Sequence, residues 1–210
     1  MLDADFFDRD TCEVAQALLG KVIYARYQRY WLSARIIETE AYYQHEKASH
    51  ASLGYTEKRK ALFMPPGTIY MYYARGGDSL NISCQGEGNA VLIKSALALG
   101  DAETIAIMRT LNPVNGRKRE KEKLCSGQTL LCRSLHLKVK RWDQQQFDQK
   151  NFYIAETAYQ TQKIIQTTRL GIAKHRDPHL PYRFIDYHHA HYCTRNPLRQ
   201  RVKNFKIIEM

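Results

Sequence analysis

The stretch RIIETEAYYQHEKASH, Arg35–His50, constrains the fold of this chain more than any other. Ile36 and Ile37 open it as β-branched residues, and the side chains then alternate, which is the pattern of a strand. A period of two places Glu38, Glu40 and Tyr42 on one face and Thr39 and Ala41 on the other. Two carboxylates and a phenol make a poor core and a good wall for a polar pocket. On spacing alone a half-exposed edge strand with solvated glutamates is the better reading. His50 closes the polar loop that follows and can return to the same pocket.

The rest of the chain surrounds this strand with antiparallel partners. Asp10 with Glu13 resembles a capping box for a helix, with Val14, Ala17, Leu18 and Leu19 on its apolar face and Gly20 at its end. Lys21–Tyr27 and Trp31–Tyr43 read as strands joined by a tight turn, and Glu46–Lys60 as a polar loop ended by Pro65–Gly67. The next segment, TIYMYYARGGDSLNIS, signals a hairpin. Ile69–Tyr73 alternates, Gly76-Gly77-Asp78 turns, and Leu80–Cys84 returns. Tyr70 and Tyr72 share one face of it, Met71 and Tyr73 the other. Ala90–Ala96 makes a further strand, and Asp101 starts a helix with Ile105, Met108 and Leu111 at helical spacing. Ser126 is a candidate cap for a helix over Gln128–Leu135, and Phe152–Ala155, Ile164–Ile172 and Arg183–Tyr187 complete the strands. No repeat or linker interrupts the chain, so residues 1–210 read as one domain.

Charge indicates the partner. With 32 Lys and Arg against 21 Asp and Glu, the net charge of +11 suits a polyanion, nucleic acid first and an acidic membrane surface second. Five scattered cysteines without a C-x-x-C argue against a disulfide framework and a zinc knuckle, and fit a reducing compartment. No signal peptide or long apolar run is visible, so a soluble intracellular protein is expected, in the cytoplasm or nucleoid of a bacterium or the nucleus of a eukaryote. His188, His189, His191 and Cys193 lack zinc spacing and read as a solvated tail. A Cys–His nucleophile pair stays open, although no cysteine sits in a nucleophile motif. G-x-G-x-x-G, P-loop and H-E-x-x-H signatures are absent. A carboxylate among aromatics in a basic protein fits hydrolysis of a glycosidic bond to a flipped, stacked base.

FFDRD…AQALLGKV, RIIETEAY…SH, FMPPGTIYMY, LNISCQGEG, LCSG…LC and RLGIAKH…PYRF together resemble the methylpurine (alkyladenine, 3-methyladenine) DNA glycosylase family over nearly the whole chain. The resemblance implies an α+β fold: one mixed domain with a curved antiparallel sheet, surrounding helices and a protruding β-hairpin that enters the minor groove. It implies a monofunctional base-excision enzyme acting on double-stranded DNA with damaged purines, as a monomer, without metal, other cofactor or membrane. Glu40 matches the general base, with Glu38 its rival on pattern. Tyr42, His50 and Tyr72 match the residues that sandwich the flipped base, and Asn81 the residue that excludes guanine's amino group. Lys94 stands where the family commonly has an arginine beside the catalytic water, and the carbonyl near Ile172 is a further water contact. The hairpin tip Tyr73-Ala74-Arg75-Gly76-Gly77 is one residue short and lacks the family's inserting tyrosine, leaving Tyr73 or Arg75 to act as the wedge, with Arg75 favoured for its reach. A non-catalytic binder of deformed DNA and a metal-dependent nuclease using Glu38 and Glu40 are the alternatives.

Overall fold

The computed structural model describes residues 1–74, 76–114, 117–199 and 204–210. Nine antiparallel strands among the described residues form one sheet, and β2 (Tyr30–Tyr42) is its spine. β5 (Ala90–Leu99) runs along one edge of β2. The other edge is shared: β1 (Val22–Tyr27) pairs with its first half and β8 (Arg183–Asp186) with Glu38–Glu40. The ladder between β2 and β5 shifts register on either side of Glu38, at the point where the second edge changes partner. Irregularity here lets one long strand serve two neighbours, and it lies beside the carboxylates.

From β5 the sheet continues through β4 (Gly77–Ser83) to β3 (Ile69–Ala74). From β8 it continues through β7 (Lys163–Thr167) to β9 (Phe205–Glu209), while β6 (Phe152–Ala155) pairs with β1. Helix α1 (Ala4–Phe7) begins at Asp3, whose side chain accepts from Phe6 N–H. In α2 (Thr11–Ala17) Asp10 accepts from the Cys12 and Glu13 amides, as the sequence pattern anticipates. Asp101 caps α3 (Ala102–Leu111) through Thr104 N–H. Two short helices, α4 (Gln128–Ser134) and α5 (Val139–Trp142), follow. Val14 from α2, Leu18 at its C-terminal end, Met108 from α3 and Leu131 from α4 are buried with Ile36, Leu80 and Ile93 of the sheet in the main core. A smaller cluster gathers Ala51, Leu62, Tyr70 and Ala90.

Five expectations need correction. The hairpin turn is tighter than Gly76-Gly77-Asp78: Ala74 pairs with Gly77, so Gly77 and Asp78 are strand residues. The 46–60 loop contains 3-10 turns, His50–Leu53 and Glu57–Phe63. The strand expected over Ile164–Ile172 stops at Thr167, freeing residues 168–172 to turn toward β2. Ser126 does not cap α4; Gly127 occupies that place, and the Ser126 hydroxyl donates to Tyr192 O. The HHAHYC segment is not a solvated tail. It forms a 3-10 helix, Tyr187–Tyr192, whose Ala190 packs with Cys193, Ile165 and Ile185. His189 Nδ1 lies 2.9 Å from the buried Asp186 carboxylate, while His188 and His191 stay exposed. β9 went unread because its burial does not alternate strongly: it is an edge strand with two of five residues half-buried.

Candidate active site

Glu38 and Glu40 are both fully buried, as one face of β2 demands, but their surroundings differ. Glu38 Oε1 accepts from Arg183 Nε at 2.6 Å, and Oε2 accepts from Ser95 Oγ at 2.5 Å and Thr194 N–H at 2.8 Å. Both oxygens are engaged in a closed network. Glu40 Oε2 accepts from Tyr42 OH at 2.8 Å and from Lys94 Nζ at 3.5 Å, and Oε1 from Leu170 N–H at 3.4 Å. Two of these three contacts are long. All three donor residues line a cavity of about 180 Å³. The Glu40 carboxylate therefore lies directly behind that cavity's wall, while Glu38 is built into the sheet.

Most of the sequence-derived candidates converge on the cavity: Tyr42, His50, Tyr72, Asn81 and Lys94 line it, together with Leu170, Gly171 and Ile172. Alternation on β3 turns Tyr70 and Tyr72 toward it and sends Tyr73 to solvent, 69% exposed. The His50 and Tyr72 rings meet edge to face at 4.5 Å, and His50 Nδ1 lies 2.9 Å from Tyr70 OH. Asn81 Nδ2 donates to Tyr70 O at 3.2 Å, which fixes the amide against the pocket wall. Arg75 lies outside the described residues. Its flanks are held: Arg133 Nη2 donates to Gly76 O at 2.6 Å, and Asp78 accepts from Val139 N–H at 3.2 Å.

Burial sets the protonation of the pocket. It pushes Tyr42 well above the ordinary phenol range, with the Glu40 charge adding to the effect, so Tyr42 remains a donor to that carboxylate. Burial and then the nearby Arg176 and Arg59 charges lower His50, which is therefore neutral at pH 7. The thiols play no comparable part. Burial raises Cys125 and Cys193 to about 12 and Cys12 to about 11, leaving no thiolate nucleophile near neutrality.

Arg169 escaped the sequence reading. Its guanidinium lies 4.4 Å from the Tyr42 ring centroid, donates from Nη1 to Ala41 O at 2.8 Å, and pairs through Nη2 with the buried Glu46. It ties the loop carrying His50 to the loop carrying Leu170 and supports Tyr42 from behind. Nothing in RLGI marks an arginine as buried, since the fold alone brings it to Glu46.

Residues 5–190 match the methylpurine-DNA glycosylase (MPG) family. The chain belongs to the methylpurine-DNA glycosylase family. Among its relatives, a protein of Pseudomonas fluorescens (strain Pf0-1) is 60% identical over 93% of this chain and 87% of its own. One from Pseudomonas aeruginosa (strain LESB58) is 58% identical over 93% and 84%, and one from Carboxydothermus hydrogenoformans 35% over 88% and 94%. All three are named "Putative 3-methyladenine DNA glycosylase". The family identifies a DNA N-glycosylase of the 3-methyladenine type, a base-excision repair enzyme whose substrate is DNA.

Proposed function

We propose that this glycosylase flips alkylated or deaminated purines out of duplex DNA and hydrolyses the N-glycosidic bond with a water activated by Glu40. The observation that carries this is the Glu40 carboxylate, buried behind an aromatic pocket and held by two long contacts and one short one. The flipped base lies among Tyr42, His50 and Tyr72, whose faces stack on any purine and attract one made cationic by alkylation. As the bond from C1′ to the base nitrogen lengthens, its electron pair leaves with the base and C1′ becomes oxocarbenium-like. Glu40 takes a proton from the water, whose oxygen bonds to C1′, and an abasic site remains. Asn81, with its amide held by Tyr70 O, opposes guanine's amino group. Lys94 neutralises the neighbourhood of the carboxylate without forming a Schiff base, so the strand stays intact. Tyr73, exposed on the hairpin, is the described candidate for the wedge that fills the gap, and Arg75 is the other.

Duplex oligonucleotides carrying one lesion each, incubated with EDTA and then alkali, test the reading. The wild type should release base with EDTA present, and strands should break only after alkali. Glu40→Gln should bind the lesion and release no base. Release by Glu40→Gln at the wild-type rate, or protein–DNA adducts trapped by borohydride, would overturn it.

A further inference from the structure

Gln128, the first residue of α4, is held at both ends of its side chain. Oε1 accepts from Lys94 Nζ at 3.0 Å, and Nε2 donates to the hydroxyl of the buried Ser79 at 2.8 Å. The amide's orientation follows from chemistry: an ammonium only donates, so it takes the oxygen, which turns the NH₂ group to Ser79. Lys94 is 8% exposed and divides its ammonium between two acceptors, Gln128 at 3.0 Å and Glu40 at 3.5 Å. Of the two contacts, the neutral amide has the shorter one and the carboxylate the longer.

That preference has a physical reading. A lysine is a point charge on a flexible stem, and unlike arginine it has no planar fork to fix its direction. Left with Glu40 as its one acceptor, Lys94 would close into a tight ion pair and occupy the oxygen that Tyr42 also uses. We propose that Gln128 is a positioning residue for excision: anchored by Ser79, it draws the Lys94 ammonium sideways and keeps it from closing on Glu40. In this chain the amide supplies the lateral anchor that a guanidinium would supply by its shape. The inference rests on Glu40 being the base.

Single-turnover base release measured against pH tests it, with Gln128→Met as a flexible replacement of similar length and Gln128→Glu as its charged counterpart. In Gln128→Met the ammonium turns to Glu40, the carboxylate holds its charge more firmly, and the acidic limb moves down by about one pH unit. The plateau falls about tenfold, the scale of one charged hydrogen bond. Gln128→Glu draws Lys94 away and adds negative charge beside Glu40, so the limb moves up. Binding of abasic duplex stays unchanged in both, and with Lys94→Met in place the Gln128→Met change has no further effect. A crystal structure of Gln128→Met should show Nζ closer to Oε2 than 3.5 Å. A limb unmoved in both variants, or a Gln128→Met effect that persists without Lys94, would show that Gln128 merely fills space. Wild-type release by Glu40→Gln is a separate result that removes the base assignment instead.

Discussion

Two glutamates separated by one residue on the same strand face have opposite fates, and the difference lies in what the neighbouring chain brings to each. β8 and the segment after it deliver Arg183 and Thr194 to Glu38, while the 168–172 loop delivers a single backbone amide to Glu40. Glu38→Gln should therefore act on stability. Leaving Arg183 without its charged partner costs about 3 kcal/mol, read as a lower midpoint in urea unfolding, with base release by the remaining folded protein close to wild type. Retained stability together with lost excision would return Glu38 to the catalytic role. Glu46 and Arg169 form a comparable buried pair, but theirs joins two loops that line the pocket. Arg169→Met should weaken lesion binding as well as stability, because it removes the support under Tyr42.

Helix α4 serves two structures at once. Its first residue anchors Lys94, and its later residues brace the hairpin: Arg133 holds Gly76 O and Thr129 packs against Gly77. A Cβ on Gly77 would lie 2.7 Å from Thr129 Cβ and 2.9 Å from its Cγ2, so glycine is needed here for close approach. Gly76 needs glycine for its backbone, at φ +78°. Gly77→Ala should cost about 1–3 kcal/mol of strain and push the hairpin away from α4. Excision from duplex DNA should then fall more than excision from a single strand, where no stacked partner has to be displaced. Tyr73→Ala should show the same duplex-specific loss if Tyr73 is the wedge; equal rates on both substrates would leave that role to Arg75. Gly77 proved to be a strand residue, but that the chain reverses near here was legible, since Gly-Gly lies between alternating apolar runs. The brace was not, because α4 lies some fifty residues away in sequence and neither Thr129 nor Arg133 is unusual at its position.

At the scale of the whole molecule, the net charge of +11 predicts tight, salt-sensitive binding to undamaged duplex, with the log–log slope steepening by about 0.9 for each phosphate contact. A slope near zero would mean that the charge does not face DNA. Acid sensitivity has a definite sign. Burial lowers both His50 and His136 below the ordinary imidazole value of 6.5, so the unfolded chain binds more protons than the folded one. Folding stability should hold above about pH 6.5 and decline as pH falls through that value, well before the lowered carboxylates of Asp101 and Asp186 begin to titrate. Unfolding midpoints at pH 5 and pH 7 measure the effect, and replacing both histidines by glutamine should flatten it.

What the sequence determined by itself is local or periodic. Alternation placed Glu38, Glu40 and Tyr42 on one face and separated Tyr72 from Tyr73; Asp10 and Asp101 marked their helix starts; the long motifs carried the family. Such features depend on neighbours two to four residues apart, and the chain encodes them directly. Only the tertiary structure showed how differently the two glutamates are surrounded. It also revealed Arg169 and Gln128 as supports and drew His189 and Cys193 into a packed segment. The physical reason is common to all of these. A carboxylate's role is set by the donors that reach it, and those donors, Arg183, Leu170 and Lys94, arrive from elements 54 to 145 residues away in the chain.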